Sequence, residues 1–116
     1  MATIKSYTDL EQSKKLAEIL PLESADMYYK AGNETQPTFR LHSYGHIMSN
    51  EDVYAWSLAA LIEVLPSIEG FKPVIDLDIN QVRYEGRYRN KLFFYNENLI
   101  DSCYEMILKL HKCKML

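Results

Sequence analysis

Apolar residues recur at helical spacing in three stretches of the chain and alternate with polar ones between them. The longest stripe is Tyr54, Leu58, Leu61, Ile62 and Leu65, and it predicts a central amphipathic helix over 51–65. Trp56, Ala59, Ala60 and Val64 widen the stripe until Glu63 is the only charge after Asp52. A helix apolar on nearly every side is covered on more than one side, so this one is expected to form the core. Ser49 followed by Asp52 predicts a capped start, and Pro66 a stop.

Thr8 and Glu11 form a capping-box pattern that opens an earlier helix, with Leu10, Leu16, Ala17 and Leu20 inward and Pro21 at its end. Ser13, Lys14, Lys15 and Glu18 are expected on its wet face. The stretch 25–30 reads as a short strand with Met27 and Tyr29 on one face. The polar stretch 32–37 reads as a hairpin connection. In 38–43, Phe39 and Leu41 alternate with Arg40 and His42, predicting a second strand. Near the end, Asn98 caps a third helix whose buried stripe is Leu99, Cys103, Met106, Ile107 and Leu110. Asp101, Glu105, Lys109 and Lys112 are expected to face water.

The region 71–95 is read as a two-armed β ribbon turning at Glu85-Gly86, because glycine supplies the positive φ of a tight hairpin. That turn sets Leu77 against Phe94 and Ile79 against Leu92, so four apolar residues share one face. The other face then holds Asp76 and Asp78 near Arg89, Lys91, Phe93 and Tyr95. A turn at Asn80-Gln81 is the competing reading. The fold expected from these elements is a single α+β domain over 1–116, in the order α-β-β-α-β-β-α. Its sheet is mainly antiparallel and its helices lie largely on one face. Leu16–Pro21 also echoes Leu61–Pro66, each ending a helix before a β region. Either a duplicated helix–strand–strand unit or two helices that both stop at Leu-Pro would account for the echo.

Composition narrows the function classes. Of 116 residues, 47% are hydrophobic and 25% charged, ordinary globular values. A net charge of −3 gives no overall attraction to nucleic acid or anionic membrane. No apolar run is long enough to span a bilayer, and the start lacks a secretory h-region. Cys103 and Cys113 sit too far apart along one helix to bond, which fits a reduced, cytoplasmic setting.

Three stretches, 10–27, 56–66 and 101–111, resemble a group of small uncharacterised proteins from gut Bacteroidetes, their phages and mobile elements. The likeness implies a small cytoplasmic protein and no particular activity, ligand or catalytic residue.

Candidate chemistry concentrates in the ribbon. Arg83, Arg87, Arg89 and Lys91 interleave with Tyr84 and Tyr88, a pattern suited to docking on a protein or to pairing with phosphate while rings stack on bases. A solvated hairpin of mutually supporting strand residues is the plainer reading. Asp76, Asp78 and Glu85 weigh against nucleic acid, which ranks behind protein docking. Asp76 and Asp78 are expected to pair across the strands with Lys91 and Arg89. His42 and His46 lack the further ligands that zinc requires, as does the His111/Cys113 pair. With no phosphate loop, nucleophile elbow or Cys–His signature, no catalytic residue, metal or cofactor is assigned. The expected function is a non-enzymatic interaction module, adaptor or modulator, with an unidentified protein partner. A small nucleic-acid binder using the same tip is the alternative, and the oligomeric state is left open.

Overall fold

A computed structural model describes residues 5–40, 51–86 and 90–116. The chain is α+β, with three α-helices and two three-stranded antiparallel sheets. Helix α1 is Leu10–Ala17, followed by a 3₁₀ turn at Leu22–Ser24. Strands β1 (Met27–Lys30), β2 (Asn33–Phe39) and β3 (Val53–Ala55) form the first sheet in the order β2-β1-β3. Helix α2 (Leu58–Val64) leads to β4 (Phe71–Asp76), β5 (Gln81–Gly86) and β6 (Asn90–Tyr95), a meander. Helix α3, Leu99–Lys112, closes the chain. The expected order holds with one further strand in each half.

Helix α1 starts one residue later than the Thr8 pattern suggests. Asp9 is the cap: its carboxylate accepts from the Gln12 amide at 2.8 Å, and the Gln12 side chain accepts from the Asp9 amide at 3.1 Å. Thr8 is buried and accepts from the Trp56 amide at 3.1 Å. Its hydroxyl also meets that of Ser13 at 2.7 Å. Ser13 is therefore buried, not on the wet face. A hydroxyl pair can be buried cheaply because each group is satisfied by the other or by backbone.

The central helix is half as long as expected. Val53 and Tyr54, residues that favour strands, pair with Tyr29 and Tyr28 of β1. Ser57 then caps α2, accepting from the Ala60 amide at 3.2 Å. The Asp26 carboxylate accepts from both the Ser57 amide and its hydroxyl, which pins the strand-to-helix corner. Tyr54 falls on the helical stripe by coincidence of spacing, while Trp56 is wholly buried at the corner. The indole N–H of Trp56 donates to the Ser24 hydroxyl at 3.0 Å.

The first hairpin turns at Ala31-Gly32, where Gly32 takes φ +84°. Its second strand thus occupies Asn33–Phe39, so 33–37, expected as connection, are strand together with 38–39, and Phe39 is exposed. The rest of the expected strand, 41–43, and His42 and His46 lie outside the described residues.

The region 71–95 is a three-stranded meander, not a two-armed ribbon. Ile75 faces Val82 across β4 and β5, and Val82 faces Phe94 across β5 and β6. The chain turns over 77–80, nearer the competing reading. Three local devices favour that turn. The Asp76 carboxylate accepts from the Asp78 amide at 3.1 Å, Asn80 adopts φ +51°, and Ser102 donates to the Asn80 carbonyl at 2.6 Å. Glu85 and Gly86 stay in strand, and a Cβ at Gly86 would overlap the Phe71 ring opposite it. The two Leu-Pro helix ends do precede sheets, but strand order differs between the halves, so the echo does not extend to topology.

The main core joins Leu16, Trp56, Leu61, Val82, Tyr84, Ile100, Cys103, Met106, Ile107 and Leu110, among others. Helix α3 lies on the inner face of the second sheet and beside α2, while α1 packs against β3. A smaller cluster of Met27, Tyr29 and Ala55 sits under Tyr7 and Leu10.

Candidate interaction surface

Alternation along β4, β5 and β6 gives the second sheet one covered and one bare face. Ile75, Val82, Tyr84, Leu92 and Phe94 point toward the core. The register places Val74, Arg83 and Phe93 in one row of the opposite face, and Asp76, Gln81 and Tyr95 in the next. Phe93 is 51% exposed and Tyr95 65%. Their rings lie nearly parallel, 8° apart, with centroids at 6.3 Å. Leu77 and Ile79 add exposed apolar side chains from the adjoining turn. That turn is held to the start of α3 by Ser102 and by the Asn80 side-chain amide, which donates to the Glu97 carbonyl at 3.0 Å.

Of the side chains expected at a basic tip, those of Arg83 and Tyr84 are described, and they lie on opposite faces of β5. Tyr84 is 1% exposed and belongs to the core, its hydroxyl donating to the Pro66 carbonyl at 2.7 Å. Burial pushes that hydroxyl's pKa up to about 12. Arg83 is on the outer face but is engaged by its neighbours. It donates to Glu85 at 3.0 Å, Gln81 at 3.1 Å and Asp76 at 3.3 Å. The Glu85 hydrogen bond, with Asp76 adding to it, holds the guanidinium even more firmly protonated. Asp76 thus pairs with Arg83, where Arg89 and Lys91 were expected partners. Arg87, Tyr88 and Arg89, which join β5 to β6 in sequence, and the side chain of Lys91 lie outside the described residues.

Among the described residues of the outer face, Lys72 and Arg83 oppose Asp76 and Glu85, so the face carries no excess of positive charge. Its distinguishing feature is the aromatic pair. Sequence patterning placed Phe93 and Tyr95 on the polar side of the strand without giving them a role. The available signal was two large rings two residues apart on the side that faces water.

Elsewhere, Cys103 is buried, and burial pushes its thiol up to about 12, while Cys113 is exposed. Among the described residues, no three His, Cys, Asp or Glu side chains converge to hold a metal ion. Nor is any described helix long and apolar enough to cross a membrane. Comparison with protein-family models, with curated proteins and with solved structures finds no match to this chain.

Proposed function

We propose that this protein is a non-enzymatic interaction module, an adaptor or modulator that docks a partner protein on the outer face of its second sheet. The observation that carries the reading is the stacked Phe93–Tyr95 pair, half or more exposed on the outer face of the second sheet. Large rings held in place lose little entropy on binding and are favoured interface anchors. Leu77 and Ile79 extend the apolar area, and Arg83, already ordered by Glu85 and Asp76, offers a fixed polar point beside it. Arg87, Tyr88, Arg89 and Lys91, which follow Arg83 in sequence, belong to the proposed contact. A cytoplasmic setting, and kinship with the small proteins of gut Bacteroidetes, their phages and mobile elements, are parts of the same proposal.

Nucleic-acid binding ranks second, because a phosphate approaching Arg83 must compete with two carboxylates already bound to it. The test places a photo-crosslinking residue at position 93 and, as a control, at the exposed position 14 on α1. A discrete protein adduct from position 93 alone is expected, and the Phe93→Ser/Tyr95→Ser double variant should lose partner capture. Both rings are exposed, so its stability should change by no more than about 0.5 kcal/mol per site. Undiminished capture by the double variant contradicts the proposal. Retardation of labelled DNA or RNA that weakens steeply with salt would move the reading to nucleic acid.

A further inference from the structure

On the covered side of the second sheet, away from the aromatic pair, a cavity of about 190 Å³ opens between the sheet and the C-terminal end of α3. Ile68, Phe71, Tyr84, Leu92, Leu110 and Met115 make its walls, and Lys109 and Cys113 stand with them. The Tyr84 hydroxyl is already committed to the Pro66 carbonyl, so the walls give water few partners. Concave, mostly apolar pockets with a few polar groups are the usual form of a small-molecule site. The Lys109 ammonium makes no hydrogen bond or ion pair among the described residues; Glu105, one turn earlier, does not reach it. His111, Lys112 and Lys114 follow Lys109 closely in sequence and leave this end of α3 basic.

The covering of the cavity is light. Lys114 adopts φ +61° after the helix, and the Met115 amide donates back to the Leu110 carbonyl at 2.8 Å, the 6→1 bond of a left-handed helix cap. This places Met115 at the cavity while leaving it 45% exposed. Methionine is the side chain best able to re-pack around an incoming ligand.

We propose that this cavity binds a small amphiphilic anion, an apolar body seated among Ile68, Leu92, Leu110 and Met115 with its carboxylate on the Lys109 ammonium. The volume suits one aromatic ring or an alkyl chain of about six to eight carbons. Apolar walls supply the affinity and the Lys109 ammonium sets the polarity. The helix C-terminus opposes an anion with only a partial charge, less than the full charge of Lys109.

Octanoate, with octanol as its uncharged counterpart, provides the test by methyl NMR. Octanoate is expected to shift the Ile68, Leu92 and Leu110 methyl signals saturably and to bind several-fold more tightly than octanol. Lys109→Gln should weaken octanoate roughly three- to fivefold, as expected for one exposed charge pair, and leave octanol unchanged. Cys113→Trp, at a residue exposed at the cavity, should block both compounds. Lys109 is also exposed, so a native amide spectrum is expected of either variant. No saturable shift of those methyls at millimolar octanoate overturns the site. Equal binding of octanoate by the native protein and Lys109→Gln overturns the choice of an anion.

Discussion

Arg83 and Tyr84 are neighbours on one strand with opposite surroundings: the first bridges two carboxylates at the surface, the second is buried under α3. Such alternation decides function residue by residue, since a one-residue slip would exchange every inward and outward side chain. Asp101 shows the same dependence on setting. Expected to face water, it is instead part-buried and accepts from Lys5 at 2.9 Å and Gln12 at 2.8 Å, tying α3 to the start of α1. Burial alone would raise its carboxyl pKa, but the hydrogen bonds from Lys5, Gln12 and Asn98 outweigh burial and hold it below the ordinary value. The unfolded chain therefore binds more protons near pH 4, so the stabilisation is fully present above about pH 4 and is lost as pH falls through the lowered folded value. Asp101→Asn is expected to cost about 1 kcal/mol at pH 7, because the ion pair is partly exposed, and to flatten the acid limb of stability. Urea titrations at pH 7 and pH 3 check this; an unchanged midpoint at pH 7 would mean that the network contributes nothing. The Asn98 cap and the Cys103 stripe were legible because both depend on spacing within one helix. The Asp101 network was not, because Lys5 lies 96 residues away.

At the scale of elements, helix α3 was read nearly residue for residue, while the stretch 51–65 split into strand, corner and helix. A single window cannot tell that Val53 and Tyr54 will find β1, nor that Asp26 will hold Ser57 at a corner. The same limit moved the turn of the second half. Ile75, Leu77 and Ile79 alternate well enough to continue a strand, yet the Asp78 amide, Asn80 and Ser102 together stabilise reversal over 77–80. The two readings separate cleanly in stability. Leu77 is 75% exposed, so Leu77→Asp is expected to change unfolding free energy by less than about 0.5 kcal/mol. Val82 is wholly buried between Ile75 and Phe94, so Val82→Asp should cost several kcal/mol or abolish folding. Thermal melts of the two variants decide it. A large loss from Leu77→Asp with a small one from Val82→Asp would reverse the inner and outer faces.

At the scale of the whole molecule, fold class and element order were accessible because hydrophobic period and punctuation by proline, glycine and caps are local properties. Strand partners, the division into two sheets and the identity of the bare face were not, because they arise from pairing between distant segments. The proposed functions occupy opposite sides of one sheet: protein docking outside on Phe93 and Tyr95, a small anion inside beside Lys109. Both require β5 to be the middle strand, with Val82 and Tyr84 inward. Cross-strand nuclear Overhauser effects in labelled protein measure this directly. Contacts from Val82 to both Ile75 and Phe94, and from Gln81 to both Asp76 and Tyr95, are the predicted result. Contacts from Leu77 to Phe94 and from Ile79 to Leu92, with a reversal at Glu85-Gly86, would contradict it.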